Sequence, residues 1–283
     1  MTNFQSSVSD KLEPWCSLNG KVVLITGASS GSGREFSIIL AKYGCKVIAA
    51  ARRLDRLKSL CNIINAQSSS HTPRAVPLEL DVMAEPEVVE AAIQKAWSAF
   101  GHIDVLINNA GLRGSASSAM KLTKEQWDQV LNVNLYGAWI CSKYVALHMQ
   151  ATNRGGSIIN ISSISGLNRV QSKGSIAYSS SKAGMHAMTT VMALDLGTHN
   201  IRVNTIAPSI FRSEITEELF NEKWLLEVVK KIVPLPYHES TVETAFIPLI
   251  RYLIDDSSKY VTGNIFIVDG GSSIAGVPLY SSL

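Results

Sequence analysis

Short runs of β-branched and aliphatic residues alternate along the chain with longer stretches of helical periodicity. This alternation is the strongest constraint on the fold, because a strand–helix–strand order makes neighbouring strands parallel and lays the helix on a face of the sheet. The run Val22–Ile25 is continuously apolar, as expected of a strand covered on both faces. The pattern predicts seven strands, at Lys21–Thr26, Lys46–Ala51, Ala75–Leu80, Val105–Asn108, Ser157–Ile161, Arg202–Ile206 and Asn264–Val268.

The stretches between these strands are long enough to be helices. We therefore predict an α/β fold of the doubly wound Rossmann type, with a seven-stranded parallel sheet and helices on both faces. No repeat or linker divides the chain, so we expect a leader over residues 1–20 and a single catalytic domain over residues 21–283. The predicted helices are Arg34–Tyr43, Leu54–Asn65, Glu85–Phe100, Lys124–Met149, Ala177–Thr198 and Val242–Ile254.

Residues 209–239 interrupt the alternation with a helix-like apolar stretch that follows the sixth strand. Because ligands bind beyond the carboxyl ends of parallel strands, we interpret this stretch as a helical lid over the substrate. The alternative is that its apolar stripe only contacts the core or another subunit.

Composition excludes several classes of protein. The 283 residues are 46% hydrophobic and carry a formal net charge of +3 without a dense basic cluster, so nucleic acid is not an expected partner. The six histidines and four cysteines lack metal-ligand spacing, so no metal site is expected. The absence of a paired-cysteine motif, a signal peptide and a membrane span favours a cytoplasmic location. A peroxisomal location is the alternative, because Ser281–Leu283 weakly resembles a peroxisomal address.

A glycine-rich turn joins the first strand to the first helix. Glycine allows a tight turn and close approach of a diphosphate, whose charge then meets the free N–H groups at the helix start. The turn therefore predicts a dinucleotide site, and the alternative is a glycine turn without a ligand. The residues of this predicted site are Thr26, Gly27, Ser29, Ser30, Gly31, Ser32 and Gly33.

The end of the second strand bears on the choice of cofactor. An NAD site usually has an acidic residue here for the ribose hydroxyls, whereas an NADP site uses a guanidinium for the 2′-phosphate. Ala51 occupies the place of the acid and Arg52 follows it, which favours NADP(H). Arg53 either joins this site or lies on a solvated face.

Tyr178 and Lys182 are four residues apart at the start of a predicted helix, so their side chains share one face. An ammonium there can stabilise a phenolate, and a phenol tuned in this way can exchange a proton with a carbonyl or an alcohol. The serines at the end of the fifth strand, Ser162 and Ser163, supply hydroxyls that could polarise the same substrate oxygen.

With these motifs in this order, and with Asn108–Gly111 after the fourth strand, the chain resembles the short-chain dehydrogenase/reductase superfamily. The resemblance runs from about Lys21 to Gly271 and is closest to the single-domain NADP-dependent ketone and 3-oxoacyl reductases. The stretch Leu112–Ser115 departs from the family pattern and leaves the substrate open.

The resemblance implies a role for individual residues. Tyr178 is the expected general acid/base, Lys182 the residue that lowers its pKa, and Asn134 the asparagine that kinks its helix. Two features bear on the polarising serine. Alignment of Gly166 with the glycine of the family motif selects Ser163, whereas the spacing to Tyr178 in many members selects Ser165. We favour Ser163. Further cofactor contacts are expected at Asp81, Val82, Asn108, Ala110, Gly111, Pro208 and Ile210.

The function expected from this resemblance is hydride transfer between NADP(H) and a lipophilic ketone or secondary alcohol. The substrate is expected to contact Ser163, Ser165, Leu167, Phe220 and Trp224. The alternatives are a 3-oxoacyl-thioester reductase, an oxidising dehydrogenase, an epimerase that passes through a keto intermediate, and an NADP-binding regulator without turnover. By analogy with the family, a homodimer or homotetramer is expected.

Overall fold

The computed structural model of the protein describes residues 18–67, 72–168, 172–211, 220, 228–229, 232–235 and 242–274. The described residues form seven strands in one sheet of order β3-β2-β1-β4-β5-β6-β7, and every neighbouring pair is parallel. This confirms the predicted fold class. The strands are β1 Val22–Thr26, β2 Lys46–Ala51, β3 Ala75–Glu79, β4 Val105–Asn108, β5 Gly156–Ile161, β6 Ile201–Pro208 and β7 Ile265–Val268.

Most helices begin and end within a few residues of the prediction, but two of the predicted helices are interrupted. The predicted helix Lys124–Met149 is two α-helices joined by a π-helical turn at Asn132–Tyr136. The predicted helix Val242–Ile254 is broken at Phe246, because Pro248 lacks an N–H group and stands in the first turn of a new helix. The helices are α1 Gly31–Lys42, α2 Leu54–Ala66, α3 Pro86–Phe100, α4 Lys124–Leu131, α5 Gly137–Ala151, α6 Ile176–Gly197, α7 Val242–Ala245 and α8 Ile247–Ile254.

The sheet lies between two apolar layers. Alternate residues of a strand point to opposite faces, so Val23 and Ile25 of β1 pack with α1, α2 and α8, whereas Val22 and Leu24 pack with α3 and α5. Leu18, which the prediction assigned to the leader, is only 2% exposed and joins the first layer. Strand β1 is flanked by β2 and β4, so the chain changes direction across the sheet here and opens a cleft at the carboxyl ends of β1 and β4.

Several predictions concern residues outside those that the structure describes. These are most of the leader, Trp224 and much of the rest of the predicted lid, and the C-terminal Ser281–Leu283. Within the described residues, no helix has the length and apolarity to cross a bilayer. No cluster of three or more potential metal ligands was found in the same part of the chain.

Candidate active site

Residues 26–33, the cofactor loop, connect β1 to α1 and are shaped by glycine. Gly27 and Gly31 have φ of +69° and +51°, in the left-handed region that glycine occupies at little cost. A Cβ on Gly33 would lie 2.5 Å from Asn109 Nδ2 and 2.6 Å from the carbonyl oxygen of Gly27. The loop therefore packs directly on the residues that follow β4 and leaves no room for a side chain at Gly33.

The start of α1 is free to receive an anion. Its N-cap, Ser30, makes no side-chain cap hydrogen bond, and the first turn contains no acidic residue. The first N–H groups of a helix lack intrahelical acceptors and carry the positive end of the helix dipole. This loop geometry and the nearby hydroxyls of Ser29 and Ser32 fit the diphosphate of a dinucleotide.

Asn109 fastens the cofactor loop to the end of β4. Its main-chain N–H donates to Thr26 Oγ1 at 3.1 Å, and its Nδ2 donates to the Thr26 carbonyl oxygen at 3.1 Å. Ser32 Oγ donates to Asn109 Oδ1 at 2.7 Å, and the Ala110 N–H also donates to Thr26 Oγ1. Sequence reasoning missed this residue, although it lies within the Asn108–Gly111 motif.

Asn108 points the other way. It is 3% exposed, and its Nδ2 donates to Ser142 Oγ and Asn160 Oδ1, both at 2.8 Å. Asn160 continues this buried chain of hydrogen bonds to Thr189 on α6. The Asn108 side chain thus supports the strand ends from within, and its place among the expected cofactor contacts stays a prediction.

Two arginines after β2 lie in different environments. Arg53 Nε donates to Ser29 Oγ at 3.1 Å and its Nη2 donates to Ser30 Oγ at 2.7 Å, so this exposed guanidinium lies across the cofactor loop. The side chain of Arg52 is exposed and makes no hydrogen bond or ion pair with another described residue. One guanidinium therefore shapes the loop while its neighbour is available to a ligand.

The other predicted cofactor contacts lie after the ends of β3, β4 and β6. Asp81 Oδ1 accepts from the N–H of Met83, and Val82 packs against Gly137, the first residue of α5. Pro208 is the last residue of β6, and Ile210 follows it half-buried. A Cβ on Gly111 would lie 3.8 Å from Lys182 Nζ, so the chain after β4 runs beside this lysine.

Ser163 and Tyr178 meet at the carboxyl end of β5. The Tyr178 hydroxyl is hydrogen-bonded to the Ser163 side chain, and Ser163 Oγ also accepts from the N–H of Ser165 at 3.1 Å. Of the two candidate serines, Ser163 is therefore the one whose hydroxyl contacts the phenol. Burial raises the pKa of Tyr178, and the Ser163 hydrogen bond and the Arg113 guanidinium act to lower it.

Lys182 lies one helical turn beyond Tyr178 on α6. Its Nζ donates to the Ile161 carbonyl oxygen at 2.9 Å and lies 5.7 Å from the centroid of the Tyr178 ring. The side chain is 4% exposed, and burial lowers the pKa of Lys182 to about 8. The ammonium and the phenol thus share one face of α6, as their spacing predicts.

Asn134 is fully buried in the π-helical turn and connects two parts of the site. Its Oδ1 accepts from the Leu112 N–H at 2.7 Å, and its Nδ2 donates to the Leu112 carbonyl oxygen at 2.9 Å. The same Nδ2 donates to Ser181 Oγ on α6 at 2.9 Å. Since π turns occur frequently at functional sites, this irregularity agrees with the expectation of a kink at Asn134.

His186 lies one turn beyond Lys182 and was not singled out from the sequence. Its ring is hydrogen-bonded to the main chain of Gly166, two residues after the start of the short helical turn that follows Ser163. Burial and the Lys182 charge lower the pKa of His186, so the imidazole is neutral at pH 7. The signal that could have revealed it is the repeat of four residues from Tyr178 through Lys182 to His186.

The predicted substrate contacts are placed only in part. Ser165 and Leu167 are half-buried beside Ser163, and Phe220 is half-buried in the described part of the predicted lid. A small cleft beside Tyr178 is lined by Arg113, Ser115 and Leu122, which come from the chain between β4 and α4. Sequence reasoning did not bring Arg113 to this position.

The described geometry can be compared with known proteins. The family model for short chain dehydrogenases matches residues 21–224. The 3-oxoacyl-(acyl-carrier-protein) reductase FabG of Thermotoga maritima is 35% identical over 254 residues, covering 90% of this chain and 98% of the relative. The trans-4-hydroxycyclohexanecarboxylate dehydrogenase of Sinomonas cyclohexanicum is 35% identical over 275 residues, with 95% and 96% covered.

A solved structure gives the same result in three dimensions. The gluconate 5-dehydrogenase of Burkholderia cenocepacia, crystallised with NADP and tartrate, superposes with a TM-score of 0.84 at 26% identity and covers 92% of this chain and 97% of its own. The protein is accordingly a dehydrogenase or reductase of a family that uses a nicotinamide cofactor. It belongs to the short-chain dehydrogenase/reductase superfamily.

Proposed function

We propose that the protein is an NADP(H)-dependent oxidoreductase that interconverts a ketone and a secondary alcohol, with Tyr178 as the general acid and base. The observation that carries this proposal is the group formed by Tyr178, Ser163 and Lys182, in which a half-buried phenol is hydrogen-bonded to a serine and lies beside a buried ammonium. A bound nicotinamide cofactor supplies or accepts the hydride.

The residues of this chain then handle the proton. In the direction of reduction, the Tyr178 hydroxyl donates its proton to the substrate oxygen, and the Ser163 hydroxyl donates a hydrogen bond to the same oxygen. The Lys182 ammonium stabilises the phenolate that forms, because a positive charge nearby favours the charged state of the phenol. Asn134 holds the main chain at Leu112 against α6 and so fixes the wall beside Tyr178.

NADP(H) is the cofactor that the loop after β2 favours. Ala51, and not a carboxylate, ends this strand, the Arg52 side chain is exposed without a partner among the described residues, and Arg53 lies across the serines of the cofactor loop. A guanidinium in this position suits a 2′-phosphate. The NADP in the related gluconate 5-dehydrogenase structure supports the same choice.

The substrate is proposed at the level of its reacting group. The lipophilic character expected for it rests on residues of which Leu167 and Phe220 are described and Trp224 is not. A second candidate is a 3-oxoacyl thioester, because the Thermotoga maritima relative carries that activity in its name. Both substrates would use the same proton donor.

Domain organisation, assembly and location extend the proposal. A single domain from residue 21 is supported by the one sheet that contains every described strand. A homodimer or homotetramer is supported by apolar side chains left exposed on α5 and α6, with Trp139 41% and Leu194 79% exposed. The buried free thiols of Cys45, Cys61 and Cys141 support a reducing, cytoplasmic location.

A titration followed by a turnover assay tests this proposal. We expect NADPH to bind more tightly than NADH, measured by energy transfer from tryptophan to nicotinamide, and at least one compound from a panel of ketones and an acetoacetyl thioester to consume NADPH at 340 nm. Tyr178→Phe should keep the affinity for NADPH and lose at least about 100-fold in kcat, because it removes only the hydroxyl that donates the proton.

Three results would contradict it. Retained turnover in Tyr178→Phe would remove Tyr178 from its role, and a preference for NADH would overturn the choice of cofactor. Binding of NADPH without turnover of any compound would favour the regulator without activity.

A further inference from the structure

Residues 112–117 form a loop that places Arg113 in the lining of the cleft beside Tyr178. Arg113 is half-buried and lines the cleft beside Tyr178 together with Ser115, Gln126 and Ser175. Its guanidinium has no hydrogen bond or ion pair with any of the described residues. A guanidinium is a rigid set of five donors with no acceptor, so one that is partly desolvated and unpaired is suited to bind an anion.

The main chain on both sides of Arg113 is held in place. Before it, the N–H and carbonyl of Leu112 are both hydrogen-bonded to the buried amide of Asn134. After it, Gly114 has φ of +72°, and a Cβ there would lie 2.7 Å from Val130 Cγ2 on α4. Further on, the Ser117 N–H donates to the Gly174 carbonyl oxygen at 3.0 Å, next to the start of α6. Arg113 therefore projects from a backbone that is fixed relative to Tyr178.

The Tyr178 phenol has two cations near it, Arg113 and Lys182. Arg113 lines the same small cleft as Tyr178 and acts to lower the pKa of this phenol, and the Lys182 Nζ lies 5.7 Å from the centroid of the Tyr178 ring. Neither cation forms an ion pair with a carboxylate in the described part of the chain. The place beside the reacting oxygen is thus electropositive and has polar side chains around it.

We propose that Arg113 is a specificity-determining residue that binds a carboxylate of the substrate, so that the enzyme acts on oxo acids or hydroxy acids in preference to neutral ketones and alcohols. This inference rests on the proposed function and names its substrate class. The apolar side chains of Leu122 and Val130 border the same small cleft. The carboxylate would lie on the Arg113 side of the carbonyl that Tyr178 protonates.

Methyl esters provide matched neutral substrates, because esterification removes the charge and keeps the carbonyl. We would measure kcat/KM with NADPH for pyruvate, acetoacetate, levulinate and benzoylformate, and for the methyl ester of each. Pyruvate, acetoacetate and levulinate place the carboxylate at increasing distances from the carbonyl, and benzoylformate combines the shortest distance with an aromatic body. The wild type should prefer at least one acid over its ester by about 10- to 100-fold, which is the range for a charge-assisted hydrogen bond.

Variants of Arg113 then test whether this residue causes the preference. Arg113→Gln should reduce the acid-to-ester ratio to near one, mainly through KM, and Arg113→Lys should keep part of it. Removing the guanidinium also changes the pKa of Tyr178 and so affects every carbonyl substrate, but that effect cancels in the ratio. Lys121→Gln, the same change of charge at an exposed neighbour, should leave the ratio unchanged.

The outcomes separate this inference from the proposed function. Equal use of acids and esters by the wild type, or an unchanged ratio in Arg113→Gln, would overturn the inference while the oxidoreductase remains. An affinity for NADPH that falls in Arg113→Gln as much as the acid activity would assign Arg113 to the cofactor and also overturn it. No consumption of NADPH with any acid, ester or neutral ketone would instead refute the proposed function, and this inference with it.

Discussion

The cofactor loop after β1 and the 112–117 loop after β4 are held in place differently. Main-chain packing at glycine fixes the cofactor loop, whereas polar side chains fix the 112–117 loop. Gly33 packs on the Gly27 carbonyl with no space for a Cβ, and the helix start that follows offers main-chain N–H groups to a ligand. Leu112, in contrast, is held by the side chain of Asn134, and Arg113 projects beside Tyr178. The main-chain groups of the cofactor loop are suited to any dinucleotide. Substitutions in the 112–117 loop, in contrast, can change which substrate the enzyme accepts. Substitutions of the side chains that transfer the proton or contact Tyr178 should therefore change kcat, and substitutions in the cofactor loop should change the affinity for NADPH.

The largest effect in this comparison is expected for Lys182→Met. Loss of the ammonium beside the Tyr178 ring should lower kcat by about 1,000-fold, since the phenolate then loses the charge beside its ring. The same change should raise the free energy of unfolding at pH 7, because the buried ammonium is costly. With a pKa of about 8 instead of 10.5, this cost is about 3 kcal/mol.

The lowered pKa of Lys182 also makes the free energy of unfolding depend on pH. Between about pH 8 and pH 10.5 the unfolded chain holds a proton on Lys182 that the folded protein has released, so the stability of the wild type rises with pH in this window. Lys182→Met should lack this rise in urea unfolding, and the wild-type kcat/KM for reduction should fall as the pH passes about 8. A variant that is less stable than the wild type at pH 7 would contradict this account.

A smaller effect is expected for the serines that follow β5. Ser163→Ala removes the hydroxyl that contacts Tyr178 and should lower kcat by about 100-fold, with the affinity for NADPH unchanged. Ser165→Ala is the matched control, because Ser165 contributes only its main-chain N–H to Ser163 Oγ, and its kcat should stay within a few-fold of the wild type. The reverse order of these two activities would select Ser165 as the polarising serine.

The smallest effect is expected for Gly33→Ala, and it should appear in binding. The new methyl group would meet the Gly27 carbonyl and the Asn109 amide, and relieving such a contact typically costs about 1 to 3 kcal/mol. The affinity for NADPH should therefore fall by about 10- to 100-fold, measured by fluorescence titration. Gly197→Ala, at the end of α6 with nothing within 4 Å of its Cβ position, should bind NADPH like the wild type. Equal effects of the two alanines would show that the cofactor loop is not limited by packing.

The same contrast explains what could be predicted from the sequence. Strand positions and the cofactor loop follow from local patterns, so β1, β2 and β4 lie within one residue of their predicted bounds. Which of Asn108 and Asn109 faces the cofactor loop depends on the direction of the chain where β4 ends, and neighbouring residues of a strand point in opposite directions. The place of Arg113 depends on Leu112, Asn134 and α6, which are far apart in sequence. The break at Phe246, in contrast, had a local signal that the prediction passed over, namely Pro248.

The π-helical turn at Asn132–Tyr136 also sets the phase of the helices on either side. An α-helix advances about 100° per residue, so one extra residue in a turn rotates everything beyond it by about that angle. The apolar stripe of α4 and that of α5 consequently cannot be read as one continuous heptad-like pattern. Removing a single residue from this turn would straighten the helix, rotate one of its halves by about 100°, and pull the amide of Asn134 away from Leu112. In this segment the number of residues is as strictly constrained as their identity.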